Sequence, residues 1–223
     1  MPFEIVRNDI TKMQVTAIVN AANTDLKRGG GVCGAIFAAA GAKELQEECD
    51  KIGHCDVGEA VITAGFKLPT KYIIHTVGPV WYGGNKDEPR LLRNCYMNSL
   101  NLAFKNKCKS VAFPLISSGI YGYPKDQALQ IAISAISEFL MAHDMMVYLV
   151  VYDNEAIKLS DKLFSAIEKF IDDNYVEEHL FNERYGRNEQ SRNIQMQFAK
   201  NKLDDEQKDY LGVYVTISYN LIR

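Results

Sequence analysis

Hydrophobic and polar positions alternate along this chain in two rhythms. Six short apolar runs read as strands: Phe3–Val6, Val15–Val19, Ala60–Thr63, Tyr72–Val77, Val111–Ile116 and Val147–Tyr152. Several are continuous enough to be covered on both faces, as strands of a parallel sheet are. Between them the apolar residues recur near every 3.6 positions. Val32–Ala40 is rich in alanine and stops at Gly41, and Ala42–Ile52 runs to Gly53, each glycine a helix terminator. Arg90–Asn106 carries Leu91, Leu92, Cys95, Leu100, Leu102 and Phe104 at helical spacing. Pro124 opens Lys125–Met141, where proline is well placed at a helix start, and Glu155–Ile171 is a further amphipathic stretch. Strands alternating with helices predict a three-layer α/β/α sandwich.

The rhythm fails after residue 171. Asp172–Lys202 is polar with few aliphatics, and Tyr210–Ile222 is a β-like run. The chain therefore divides into a domain over 1–171 and a C-terminal extension over 172–223, expected to be helical and partly solvated and to end in a strand or docking segment. Packing on its own domain and binding a partner are equally compatible with that pattern.

Charge follows the same division. Residues 1–171 hold 18 acidic and 18 basic side chains, whereas residues 172–223 hold 10 and 7, so the whole net charge of −3 lies in the extension. A neutral body without a basic stripe argues against a dedicated nucleic-acid binder, although not against a phosphorylated small molecule. At 223 residues and 47% hydrophobic residues the chain can bury a substantial core. The five cysteines contain no CxxC pair. With no signal peptide in view, that usage predicts reduced thiols and a cytoplasmic protein. Cys49, His54 and Cys55 lie close together but show no zinc spacing, so no metal is expected. No apolar run is long enough to span a bilayer, and no membrane partner is expected.

The chemistry concentrates in two glycine-rich turns, each where a strand runs out and a helix begins. The first is Asn20-Ala-Ala-Asn23 leading to Gly29-Gly30-Gly31-Val32; the second is Ile116-Ser-Ser-Gly-Ile-Tyr-Gly-Tyr-Pro124. Glycines let backbone N–H groups approach an anion closely, and a following helix adds its positive end. Two such turns in one sheet can clasp a diphosphate, whereas one alone is also an ordinary tight turn.

Five blocks carry a resemblance. Asn8-Asp-Ile-Thr11, Val19-Asn-Ala-Ala-Asn23, Gly29-Gly-Gly-Val32, Tyr72-Ile-Ile-His-Thr-Val-Gly-Pro79 and Phe113–Pro124 resemble, in order and spacing, the signature blocks of macro domains of the MacroD type. The resemblance covers residues 1 to about 171. It implies a mixed central sheet flanked by helices, with an ADP-ribose pocket at its C-terminal edge and no cofactor. Asp9 and the Ile10 amide would then meet the adenine edge, and Tyr152 would pack on the ring. Asp is equally a good turn cap, and an aromatic at a strand end is often core. Gly30, Gly31 and Val32 would face the diphosphate from one side, and Ser118, Gly119, Ile120 and Tyr121 from the other. Tyr121 and Asn23 would hold the distal ribose, Asn23 helping to position water. Asn20 is either a ligand contact or a buried polar residue holding the loop. His75, alone inside a strand, reads as a satisfied core residue.

One block departs from the family pattern. Where hydrolytic MacroD-type domains continue Val-Asp-Gly-Ala-Ile-His, this chain has Val32-Cys-Gly-Ala-Ile-Phe37. The acid that would activate water is Cys33, and a thiol is a weak acceptor and a poor base at neutral pH. Three readings follow. The helix N-terminus favours a thiolate at Cys33, or the substrate's own phosphate holds the water, or Cys33 is an inert small hydrophobe. The resemblance thus implies binding of ADP-ribose or O-acetyl-ADP-ribose. The expected activity is hydrolysis of ester-linked mono-ADP-ribose on proteins, deacetylation of O-acetyl-ADP-ribose, or both. A non-catalytic reader of ADP-ribosylated proteins is the rival.

Overall fold

The computed structural model describes residues 2–151. Tyr152, the helix expected over Glu155–Ile171, the boundary at 171 and the extension lie outside the described residues. Within them the order is β1 (Phe3–Arg7), a 3₁₀ turn (Ile10–Lys12), β2 (Ala17–Ala22), α1 (Gly31–Ala40), α2 (Ala42–Ile52), β3 (Ala60–Ala64), β4 (Tyr72–Val77), α3 (Glu88–Lys105), β5 (Ser110–Pro114), α4 (Lys125–Leu140) and β6 (Met146–Val151).

The six strands form one sheet in the order β1-β6-β5-β2-β4-β3. All neighbours pair parallel except β3, which runs antiparallel to β4 at the edge, so the sheet is mixed as expected. Helices α1 and α2 pack together over β2 and β3, while α3 packs with α4 and over β3 and β4. One layer of the core joins Ile18, Ile73 and Ala112 of the sheet to Ile36, Phe37, Leu45 and Cys49 of α1 and α2. Each such fully buried Ile, Leu or Phe contributes roughly 1.5–3 kcal/mol by leaving water.

Helix ends fall where glycine and proline predict. Gly41 (φ 101°) separates α1 from α2, Gly53 (φ 82°) ends α2, and Pro124 (φ −55°) caps α4. The boundaries that differ most from the periodicity are those of β2 and β5. Strand β2 begins two residues later than Val15 and continues three beyond Val19, because Asn20, Ala21 and Ala22 stay in register with His75, Thr76 and Val77 of β4. A polar Asn reads locally as a strand exit, and only the neighbouring strand shows otherwise. Strand β5 stops at Pro114, before Ser117 turns into the left-handed region (φ 64°).

The pairing that shapes the site is between β2 and β5. They are neighbours, yet they pair only at Ala17↔Val111 and Ile18↔Ala112, near the start of each strand. Beyond Ile18 no further pairs are made, and the two strands deliver their glycine turns to the two sides of a crevice at their C-terminal ends. Open α/β sheets bind ligands at such places.

Candidate functional site

Every described residue singled out from the sequence for the site follows the C-terminal end of a parallel strand, except Asn20, which lies within one. Asp9 and Ile10 follow β1, Asn23 to Val32 follow β2, and Ser118 to Tyr121 follow β5.

The first glycine turn is built from inside. Asn23 closes it, its Nδ2 donating to the Lys27 carbonyl at 2.8 Å and its Oδ1 accepting from the Lys27 N–H at 3.0 Å. One Nδ2 hydrogen and one Oδ1 lone pair remain for another partner. Gly31 adopts φ 56°, which favours glycine, at the start of α1. Gly34 lets the helix approach the turn: a β-carbon there would stand 2.6 Å from the Gly29 carbonyl oxygen. Among the described residues, the N–H groups of Gly30, Gly31 and Val32 have no hydrogen-bond acceptor, as expected of a helix start.

The second turn folds on itself through Gly122 N–H to Gly119 O (2.9 Å) and Tyr123 N–H to Ser117 O (3.0 Å). The Ser118 hydroxyl donates to Leu115 O at 2.8 Å, and its N–H reaches the same oxygen at 3.5 Å. Among the described residues the N–H groups of Gly119, Ile120 and Tyr121 have no acceptor. The two turns confront each other directly. A β-carbon on Gly30 would lie 3.4 Å from Cδ1 of Ile120, a side chain that is 83% exposed. Two runs of backbone donors without acceptors thus come from adjacent turns, and such runs are suited to an anion.

The Asp9 carboxylate serves as the cap of the 3₁₀ turn. Its Oδ1 accepts from the Thr11 hydroxyl at 2.7 Å and the Thr11 N–H at 3.0 Å, and Lys12 lies 3.7 Å from Oδ2. The Thr11 hydroxyl, with the Thr11 N–H and Lys12, holds the carboxyl below its usual range against burial. The cap occupies Oδ1, while Lys12 is the neighbour of Oδ2. Ile10 buries its side chain, so its backbone N–H, without an acceptor among the described residues, is what it can present.

Asn20 is fully buried, and of its two readings the structure realises the buried polar one. Its Nδ2 donates to His75 Nδ1 at 3.1 Å and to Cys33 Sγ at 3.7 Å. Cys33 is likewise buried, in the first turn of α1. Its sulfur accepts from the Gly29 N–H at 3.4 Å and donates to the Lys27 carbonyl at 3.9 Å. The thiol is therefore part of the turn's own framework. Burial pushes the Tyr121 phenol above its ordinary value, and the nearby Cys33 sulfur adds to the rise. Tyr121 is a neutral donor at physiological pH.

Two features escape sequence reasoning. Trp81 donates its backbone N–H to the Tyr121 carbonyl at 2.9 Å and packs its ring on Tyr123, centroids 4.5 Å apart. Glu88, buried at the start of α3, accepts the N–H groups of Tyr82 (3.0 Å), Gly84 (3.3 Å) and Lys86 (2.5 Å). Burial works to raise its carboxyl, and its own backbone N–H together with these donors outweighs it. The segment that Glu88 gathers is thus joined through Trp81 to the back of the second turn. An acidic residue next to proline at a helix start is the single local signal for this. Elsewhere, Cys49 and Cys55 are buried while His54 is exposed against Asp56, and no group of three metal-ligating side chains comes together among the described residues.

Comparison with known proteins agrees with this geometry. The family model for the macro domain matches residues 19–132. An O-acetyl-ADP-ribose deacetylase from Citrobacter rodentium is 50% identical over 167 residues, 72% of this chain and 94% of that protein. The solved structure of the Oceanobacillus iheyensis macrodomain with ADP superposes with a TM-score of 0.71 at 41% identity, covering 75% of this chain and 92% of that one. The Trypanosoma brucei macrodomain in complex with ADP-ribose gives a TM-score of 0.67 at 39% identity, covering 73% and 68%. With the five sequence blocks, the mixed six-stranded sheet and the paired glycine turns, these likenesses show that the chain belongs to the macro domain family.

Proposed function

We propose that this protein binds ADP-ribose and its ester derivatives and hydrolyses the ester at the distal ribose. The observation that carries this is the close approach of Gly30 and Ile120 across the crevice, which sets two turns rich in unpaired backbone N–H groups side by side. The relatives' names and ligands support the same substrate class. In this reading Asp9 and the Ile10 amide meet the adenine edge, with Tyr152 against the ring. Gly30, Gly31 and Val32 hold the diphosphate on one side and Ser118 to Tyr121 on the other. Asn23 and Tyr121 hold the distal ribose.

In deacetylation, water's oxygen bonds to the acyl carbon, the bond from that carbon to the ribose oxygen breaks, and a proton passes to the ribose hydroxyl. In release from a protein carboxylate, water attacks the anomeric carbon and the carboxylate departs with the electron pair. The Cys33 thiol is engaged by Asn20, Gly29 and Lys27, which favours the route in which a substrate phosphate and Asn23 hold the water. The site must bind the transition state more tightly than the product, since product affinity alone supplies no rate.

The test incubates the purified protein with O-acetyl-ADP-ribose and, separately, with a glutamate-linked mono-ADP-ribosylated protein, following acetate and ADP-ribose. Asn23→Ala is the control. Because Asn23 also ties the Lys27 backbone, the control's ADP-ribose affinity is measured alongside, separating lost chemistry from a lost pocket. Release that disappears in a control that still binds supports the hydrolase. Saturable binding without release from either substrate leaves a reader of ADP-ribosylated proteins, and absence of binding overturns the proposal.

A further inference from the structure

The residues beneath the first glycine turn form a directional chain of hydrogen bonds that crosses the sheet. His75 is fully buried on β4, opposite Asn20 of β2 and Val61 of β3, with Thr63 of β3 reaching its ring diagonally. Because Asn20 Nδ2 is a donor, His75 Nδ1 must accept from it, at 3.1 Å. The ring proton therefore sits on Nε2, where Thr63 Oγ1 accepts it at 3.0 Å and passes its own hydrogen to the Ala64 carbonyl at 3.2 Å. Asn20 spends its second amide hydrogen on Cys33 Sγ, which also takes the Gly29 N–H. Phe37 closes the site edge-on to the imidazole, with centroids 6.5 Å apart. The chain ends on Gly29, the residue that leads into the anion-facing amides.

We propose that His75 is a positioning residue: through Asn20 and Cys33 it sets the first glycine turn in the conformation that faces the ligand. Three observations carry this. The donor and acceptor at each nitrogen are dictated by the partners, so the imidazole specifies an orientation of Asn20 that an apolar side chain would not. Asn20 is fully buried, and its amide nitrogen bonds to His75 and to the Cys33 sulfur beneath the turn, while its Oδ1 has no partner among the described residues. Finally, Phe37 of α1 stands edge-on to His75 at the position where the family pattern has a histidine, so among the described residues the imidazole beside α1 comes from β4.

The effect on ligand binding rests on the proposed function, whereas the effect on the turn does not, so the experiment reads both. The full-length protein and three variants, His75→Leu, His75→Gln and Thr63→Val, are exposed to iodoacetamide and the modified cysteines are identified by peptide mapping. Cys95, buried on α3 and hydrogen-bonded to Leu91 and Val77, reports global opening. In His75→Leu, Cys33 should be modified about tenfold faster relative to Cys95 as the turn opens locally. His75→Gln, whose amide can again accept from Asn20 and donate to Thr63, should restore the ratio to within about twofold. Thr63→Val removes the Nε2–H acceptor without a large change in shape, and should raise the ratio about threefold even if the leucine variant does not fold.

Calorimetry with ADP-ribose then tests the consequence, an about tenfold weaker Kd in His75→Leu that recovers in His75→Gln. Equal acceleration of Cys33 and Cys95, or unchanged modification of Cys33, overturns the positioning role. If Cys33 responds as expected but the wild-type protein binds no ADP-ribose, the positioning of the turn stands and the functional reading fails.

Discussion

Ile120 and Gly30 meet across the crevice: the isoleucine Cδ1 lies 3.4 Å from the point where a β-carbon on the glycine would stand. The two residues come from turns separated by nearly ninety positions of sequence. They meet because β2 and β5 pair at their beginnings only, leaving the far ends of the two strands unpaired with each other.

That contact predicts the effect of filling the cleft. Gly30 has φ −89°, a conformation any residue adopts, so a side chain can be introduced without backbone strain. Gly30→Glu should place a carboxylate between the two sets of N–H groups, satisfying them and repelling a diphosphate. ADP-ribose affinity should fall by about two orders of magnitude or more, with a melting temperature near that of the wild type. Calorimetry and a thermal melt check both halves.

Gly34 answers to a different constraint. A β-carbon at this position would come within 2.6 Å of the Gly29 carbonyl, which is backbone and has little freedom to withdraw. Gly34→Ala should therefore cost about 1–3 kcal/mol of stability through forced displacement. Because the displaced group is the first glycine turn, ADP-ribose binding should weaken as well. Urea unfolding and calorimetry on the same sample test whether the two losses travel together.

Cys33 is the position where a general base can be restored. Asn20 Nδ2 and the Gly29 N–H both point at the sulfur, so a carboxylate there finds two donors already in place. Cys33→Asp should fold and should raise kcat for ester hydrolysis by about a hundredfold or more, the lower end of what a positioned general base contributes. Single-turnover assays with O-acetyl-ADP-ribose check the prediction, and an unchanged rate would mean that the substrate phosphate alone manages the water.

His75 supplies a pH dependence. Burial pushes the imidazole down from 6.5 to about 4, so the folded protein binds fewer protons at this residue than the unfolded chain between those values. Stability from this group is present in full above pH 6.5 and is lost as the pH falls through 6.5 toward 4. The total amounts to about 3 kcal/mol. Urea denaturation at steps from pH 7 to pH 4 should show the decline, and His75→Gln should flatten it over that window.

Much of this architecture is legible locally. Hydrophobic period placed all six strands and the four described helices, because a side chain's periodicity records which face of its own element is covered. Glycine and proline marked the helix ends and both turns, since their conformational limits act within a few residues. The family blocks identified the turns as a pair and pointed to Cys33 as the departure. Asn20 was the place where local reading divided evenly: an asparagine at the end of an apolar run looks the same whether it leaves the sheet or continues in it.

The tertiary structure alone decided what these residues touch. The register of β2 against β4 sets Asn20 beside His75, and the antiparallel edge strand brings Thr63 to the other side of the same ring. The packing of α1 then lays Cys33 over Asn20, and a loop gathered by Glu88 braces the second turn through Trp81. These contacts join segments tens of residues apart, and their energies depend on strand register and helix approach rather than on any local preference. For that reason composition and spacing determined that this chain builds two glycine-rich turns on an α/β sheet. The assembled sheet determined which buried side chains lie against them.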